Sequence, residues 1–240
     1  MRWLACLLAI AALALPGVAQ AAAEKPDPGG PAKAGSWIAK VVTPTVGRTA
    51  PRADARVVQR LGTSAPWAGG PVQLMVLGSK RDADGALWLR VQLAKRPNGS
   101  SAWVLADHVR LLRTPWRIEV STSSRTVTLR RAGQVVRRFR AVVGAPGTPT
   151  PRGLFAVAER FDLPSANNFY GPHVLALTAF SNIFETFGGG PGVVGIHGRG
   201  GASLATPLGT AASHGCVRVD NAQIVFLVVR AIAGTPVAIT

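Results

Sequence analysis

The side chains able to do chemistry are concentrated in one stretch: Ile196-His197-Gly198 and then, with fifteen residues intervening after the histidine, Ser213-His214-Gly215-Cys216-Val217-Arg218. A cysteine attacks a carbonyl once a base or a positive neighbour has helped remove its proton, and imidazole is the side chain suited to that near neutral pH. One histidine lies two residues before Cys216 and another nineteen before it. Gly198 and Gly215 let main chain approach a bound carbonyl and turn N–H groups toward a developing oxyanion. Two blander assignments stand beside this one. The thiol can be a packed small hydrophobe, or His197, His214 and Cys216 can ligate a metal, although no fourth ligand is evident. His108 and His173 have no partner in the sequence and read as surface or packing histidines.

The start of the chain sets the compartment. Met1-Arg2, an apolar run from Trp3 to Leu15, Pro16-Gly17 and the small-residue site Ala19-Gln20-Ala21 make a cleavable secretory signal over residues 1–21, too short to span a bilayer. The mature protein is therefore expected outside the cytoplasm, in a bacterial periplasm or cell wall, with no stable membrane span. Cleavage also removes Cys6, which leaves Cys216 as a lone thiol: a buried spectator, a handle for an intermolecular bridge, or a nucleophile.

Lys and Arg number 27 against 11 Asp and Glu, a formal net charge of +16, which favours anionic surroundings. Nucleic acid is excluded by export and by the lack of zinc-finger spacing or a basic helix interleaved with aromatics. Anionic wall polymers remain as candidate partners. The densest cluster, Arg130-Arg131 with Arg137-Arg138 and Arg140, alternates with apolar residues and reads equally well as a solvated sheet face.

The elements that must position these groups are mainly strands. Residues 22–36 are rich in Pro, Gly, Ala and Lys and read as a flexible linker. Residues 37–113 carry short β runs (Gln73–Leu77, Ala86–Val91, Ala102–Val104), with Asn98-Gly99 as a hairpin signal that also forms a glycosylation triplet with Ser100. Thr114-Pro115 opens a second β unit, 114–240, with alternation at Trp116, Ile118 and Val120, at Val127 and Leu129, and a run from Gln134 to Val143. One helix is expected from Asn221 to about Ala233, capped by Asp220 or Asn221, with Ile224, Leu227, Val228 and Ala231 on one face and Gly234 ending it; Pro236–Thr240 closes as a strand. The segment Phe161–Gly192, with its Gly188-Gly189-Gly190 run, is expected to form a flap over the cleft.

His197, a fifteen-residue spacer and Ser213-His214-Gly215-Cys216-Val217-Arg218 resemble the signature of the YkuD-type L,D-transpeptidases, with Arg218 taking the Arg variant of its last position. Val143–Phe155, Phe169-Tyr170-Gly171-Pro172 and Gly234-Thr235-Pro236-Val237 support it, so the resemblance covers roughly residues 114–240. The pattern GALWLRVQL…RPNGSSAWV in 37–113 resembles bacterial Src-homology-3-like domains. Together these imply a mainly β protein: a YkuD-type β-sandwich catalytic domain with few short helices, preceded by a small β-barrel-like domain.

By resemblance, the substrates are peptidoglycan tetrapeptide stems, donor and acceptor. Cys216 is the nucleophile, forming a thioester that an amine resolves into a 3→3 cross-link. His197 is the proton donor and acceptor, and His214 is supporting. Gly215 and Gly198 contribute backbone groups, while Tyr170, Ser213 and Arg218 contact substrate. No metal or other cofactor is implied, and acylation by carbapenem-type β-lactams is expected. Alternatives are an L,D-carboxypeptidase or D-amino-acid exchange on the same stems, or a catalytically idle wall-binding module.

Overall fold

Alternation of apolar and polar side chains yields strands along most of the chain, and the computed structural model describes residues 26–240. The signal segment 1–21 and Cys6 lie outside the described residues, as does the first part of the linker. Its later part is docked: Asp27 pairs with Arg81 at 3.1 Å, and Ala32 bridges Gly35 as the chain enters the first strand.

Seven strands, β1 (Ser36–Val41), β2 (Thr45–Arg48), β3 (Val57–Leu61), β4 (Gln73–Arg81), β5 (Leu87–Gln92), β6 (Ser101–Leu105) and β7 (Val109–Thr114), form an antiparallel sheet ordered β3-β2-β6-β5-β4-β1-β7. Its inward residues, among them Val41, Val76, Leu89, Val91 and Val104, make one hydrophobic cluster. The Asn98-Gly99 signal does connect an antiparallel pair, β5 and β6. The connection is longer than a tight hairpin, because Leu93 N–H closes it on the Ser100 carbonyl at 2.9 Å and Asn98 sits in the turn between.

The second unit contains β8 (Trp116–Ser121), β9 (Thr126–Arg131), β10 (Gln134–Arg140), β11 (Val143–Gly144), β12 (Gly153–Asp162), β13 (His173–Phe180), β14 (Val193–His197), β15 (Ala211–Ser213), β16 (Val217–Arg218) and β17 (Pro236–Ile239), with α1 at Asn221–Val228. Eight of them form one sheet, β10-β9-β8-β17-β12-β13-β14-β16, and β11 pairs with β15. Val142, just past the edge strand β10, bridges Arg218 on the opposite edge strand β16, so the sheet curls on itself around a core that includes Phe155, Leu175, Leu177, Ile196 and Leu227.

Three local expectations are corrected. The helix ends at Val228, although Ala231 stays buried with Ile224 and Leu227. Its last turn tightens as Arg230 N–H reaches back to the Leu227 carbonyl, and the chain must then bring Gly234 (φ +85°) onto the Val157 carbonyl to enter β17. Asp220 occupies the N-cap position without capping by its side chain, which instead accepts from Arg199 at 3.0 Å. The expected flap is divided by β13 into two loops, 163–172 and 181–192, because His173–Phe180 pairs on both sides, with β12 and with β14.

The two sheets meet through buried polar groups. Gln92 donates to the Leu154 carbonyl (2.7 Å) and accepts from Thr178 Oγ1 (2.9 Å), while the Glu159 carboxylate accepts the Trp67 and Ala68 N–H groups at 3.1 and 2.6 Å. Buried bonds of this kind are costly to break because each orphaned group loses about 1–3 kcal/mol of solvation.

Candidate active site

Strands β14 and β16 run parallel with His197 opposite Arg218, which brings together residues twenty-one apart in sequence. Adjacent strands lie about 4.8 Å apart, and alternate residues share a face. Cys216 enters just before β16, where its Sγ receives the Gly195 N–H at 3.4 Å, two residues along β14 from His197. Thiol and imidazole consequently line the same two depressions. One is a narrow recess of about 30 Å³ shared with Tyr170, His214 and Arg218. The other is a groove of about 390 Å³ walled by Phe161, Leu163, Val174, Phe187 and Trp67.

His197 is 1% exposed. Its Nδ1 lies 2.7 Å from the Gly198 carbonyl, and since that oxygen only accepts, this bond assigns the neutral ring's proton to Nδ1. Burial pulls the imidazole down to about 4, with the nearby Arg218 charge adding to the effect and the Gly198 and Tyr170 main-chain carbonyls opposing it. Burial also pushes the Cys216 thiol up, against the Gly195 N–H and the Arg218 charge, which favour the thiolate. Both shifts disfavour a resting thiolate–imidazolium pair. The resting site holds a neutral thiol and a neutral base.

The loop carrying the thiol is locked from several sides. Gly215 has φ +120°, a conformation that disfavours any other residue. Ser213 is buried, with its Oγ donating to the Cys216 carbonyl (2.6 Å) and accepting from Gly215 N–H (3.2 Å), so its hydroxyl is committed to the loop and turned from both depressions. Thr150 Oγ1 donates to the Gly215 carbonyl at 2.8 Å and accepts the Gly144 N–H at 2.9 Å. On the histidine side, Asn221 Oδ1 accepts the Arg199 N–H at 2.8 Å, holding the turn that follows Gly198.

Arg218 is 6% exposed, and its guanidinium stands over the Phe169 ring at 4.8 Å with Nη1 3.4 Å from Thr206 Oγ1 and Nε unpartnered. Burial lowers its pKa. A buried cation beside the thiol, with no carboxylate paired to it among the described residues, is a receptor for negative charge. Tyr170 stands edge-on to His197 at 5.0 Å and lines both depressions. His214 is exposed and stacks on the second loop, against Phe184 (6.0 Å) and Phe187 (5.5 Å). His173 bonds Asp162 and His108 bonds Thr45, both away from the site. Among the described residues no three His, Cys, Asp or Glu side chains are grouped to hold a metal ion, and no helix is long and apolar enough to cross a membrane.

Trp67 is the functional wall that sequence reasoning missed. It belongs to the N-terminal sheet's 62–70 loop and reaches the groove because buried Glu159 grips that loop's N–H groups; nothing local in its sequence marks it. Thr150 sat within a stretch singled out only as supporting.

Comparison with known proteins fits this arrangement. A family model described as the L,D-transpeptidase catalytic domain matches residues 115–239, more than half of the chain. A Bacillus licheniformis protein carrying the YkuD L,D-transpeptidase name is 32% identical over 126 residues, 52% of this chain and 66% of that relative's own length. Among solved structures, a Bdellovibrio bacteriovorus protein matches with 21% identity and a TM-score of 0.42, over 53% of this chain and 48% of its own. An L,D-transpeptidase from Mycobacterium tuberculosis matches with 16% identity and a TM-score of 0.45, over 90% and 95%.

Proposed function

The chain belongs to the YkuD L,D-transpeptidase catalytic-domain family, and from that premise we propose that it is an exported cysteine acyltransferase that forms 3→3 cross-links between peptidoglycan tetrapeptide stems. The observation that carries this reading is that a partly accessible Cys216 and a buried, neutral His197 whose Nδ1 meets Gly198 line the same two depressions, beside the buried Arg218 charge.

The steps follow from those groups. The donor stem lies in the groove with its third residue's carbonyl at Sγ. As sulfur bonds to that carbon, the thiol proton passes to His197 Nε2, and the main-chain N–H groups of His214 and Cys216 face the oxyanion, the Gly215 N–H being held by Ser213 Oγ. The carbon–nitrogen bond to terminal D-alanine then breaks, the imidazolium returns its proton to the leaving amine, and a thioester remains. An amine of a neighbouring stem attacks the thioester and gives its proton through His197 to the departing sulfur, which leaves as the thiol. A thioester keeps enough acyl activation for this exchange without any external energy source. Arg218 attracts a stem carboxylate and stabilises sulfur's developing charge. The 37–113 unit contributes to substrate binding as well as spacing, since Trp67 walls the groove. The exposed β10 arginines Arg137, Arg138 and Arg140 suit anionic wall polymers.

The test is intact mass spectrometry of the mature protein with a disaccharide-tetrapeptide, wild type beside Cys216→Ser. A wild-type adduct lacking D-alanine, together with cross-linked dimer, supports the reading. Tripeptide alone reassigns the enzyme as a carboxypeptidase. No adduct and no product, under reducing conditions, overturns it.

A further inference from the structure

The second loop of the site, 181–192, closes over the cysteine with Phe184 and Phe187 against His214. Its own ties are few: Ser181 N–H to the Gly192 carbonyl (2.8 Å), the Phe187–Gly190 pair, and Ser181 Oγ under the Ile183 and Phe184 N–H groups. Gly188, Gly189 and Gly192 all have positive φ, so the segment has little intrinsic stiffness.

What holds it comes from the other sheet. Arg96, in the β5–β6 connection, donates Nη1 to the Ser181 carbonyl (2.7 Å) and Nη2 to the Phe184 (2.7 Å) and Pro191 (3.4 Å) carbonyls, with its guanidinium 5.1 Å from the Phe180 ring centre. Its fork therefore spans both ends of the loop. Asn98 acts as a missing strand partner at the end of β13: Nδ2 donates to the Phe180 carbonyl (2.8 Å), Oδ1 accepts the Phe180 N–H (2.8 Å), and Nδ2 also meets Asn182 Oδ1 (3.1 Å). The turn presenting both is braced by Ser100 Oγ on the Pro97 carbonyl (2.7 Å). Asn98, noted in the sequence for a glycosylation triplet, is thus engaged in holding the loop.

We propose that Arg96 and Asn98 are positioning residues that clamp the 181–192 loop over Cys216, and that this clamp decides whether the acyl group passes to an amine or to water. The proposal rests on the thioester reading above. Two reactions consume that thioester. Amine attack forms an amide and releases the thiol; water attack forms a carboxylic acid and releases the thiol. Sulfur leaves identically in both, so the ratio of products reports how well the covered site excludes water while the amine is held. Arg96 does not touch the reacting atoms; it acts through the loop that does the covering.

The experiment uses the mature protein and three variants, Arg96→Ala, Arg96→Lys and Asn98→Ala, with two readouts. Hydrogen exchange followed by mass spectrometry should show faster exchange over 181–192 in Arg96→Ala and Asn98→Ala, with β8 and β9 unchanged. The ratio of cross-linked dimer to tripeptide should fall by about tenfold in Arg96→Ala, the worth of one charge-assisted hydrogen bond, while Arg96→Lys, which keeps charge but not the fork, recovers only part of it. A thermal melt identifies any variant that fails to fold, in which case Asn98→Ala decides. Unchanged exchange over 181–192 overturns the clamp. Faster exchange with an unchanged product ratio overturns its catalytic role. If wild type forms no Cys216 adduct, the thioester reading fails, and the exchange result alone decides the clamp.

Discussion

Acid should silence this enzyme at a lower pH than an ordinary histidine base would allow. Burial holds the His197 imidazole at about 4 in place of 6.5, a preference of a few kcal/mol for the neutral ring. Above pH 6.5 the ring is neutral in both folded and unfolded chains, so it contributes no pH dependence there. Between pH 6.5 and about 4 the unfolded chain binds a proton that the folded chain refuses, and stability falls by about 1.4 kcal/mol per pH unit until the folded ring charges as well. The base itself, however, stays competent across that window. Cys216 acylation by a carbapenem, timed by quenched-flow intact mass spectrometry, should therefore hold its rate from neutral pH down to near 4 for as long as the protein remains folded. Urea midpoints measured alongside should drop through the same window. An acid limb centred near 6.5, or a His197 ring signal titrating there by NMR, would refute the neutral-imidazole reasoning.

Other perturbations test separate parts of the site. Gly215→Ala forces a Cβ onto a residue at φ +120°, where space is adequate but the backbone is not; it should cost about 1–3 kcal/mol and slow Cys216 acylation at least tenfold. Replacing Arg218 with Met removes the buried charge, so the pH profile of iodoacetamide labelling at Cys216 should move to higher pH, with little loss of thermal stability. Trp67→Ala should raise KM for a tetrapeptide stem by about three- to tenfold at constant kcat, and leave carbapenem acylation unaltered, as expected for lost binding distant from the reacting atoms. Gln92→Leu strands the Thr178 hydroxyl and the Leu154 carbonyl at the junction of the sheets and should lower the denaturation free energy by about 1–3 kcal/mol.

Much was legible in the sequence alone. Residue types and spacing named a thiol and two histidines, and set imidazole and cysteine against an acyl group. Period-two alternation at Trp116, Ile118 and Val120 and the short β run 86–91 identified strands, and the Ile224, Leu227, Val228 and Ala231 spacing identified the helix, because such patterns reflect burial of a local element. What local pattern could not reach was anything set by pairing across the chain. The register of β14 against β16 makes His197 a neighbour of Arg218 and Cys216, and burial among them moves the proton affinities of thiol and ring in opposite directions. Pairing of β13 on both sides splits the expected flap, and the carboxylates and amides expected to cap a helix or turn are drawn instead to Arg199 and Phe180. Trp67 and Arg96 reach the site from the other sheet through contacts 85 and more residues away, as with Arg96 and Ser181. Chemical identity is a property of the residue; proximity, burial and hydrogen-bond partners are properties of the closed sheets.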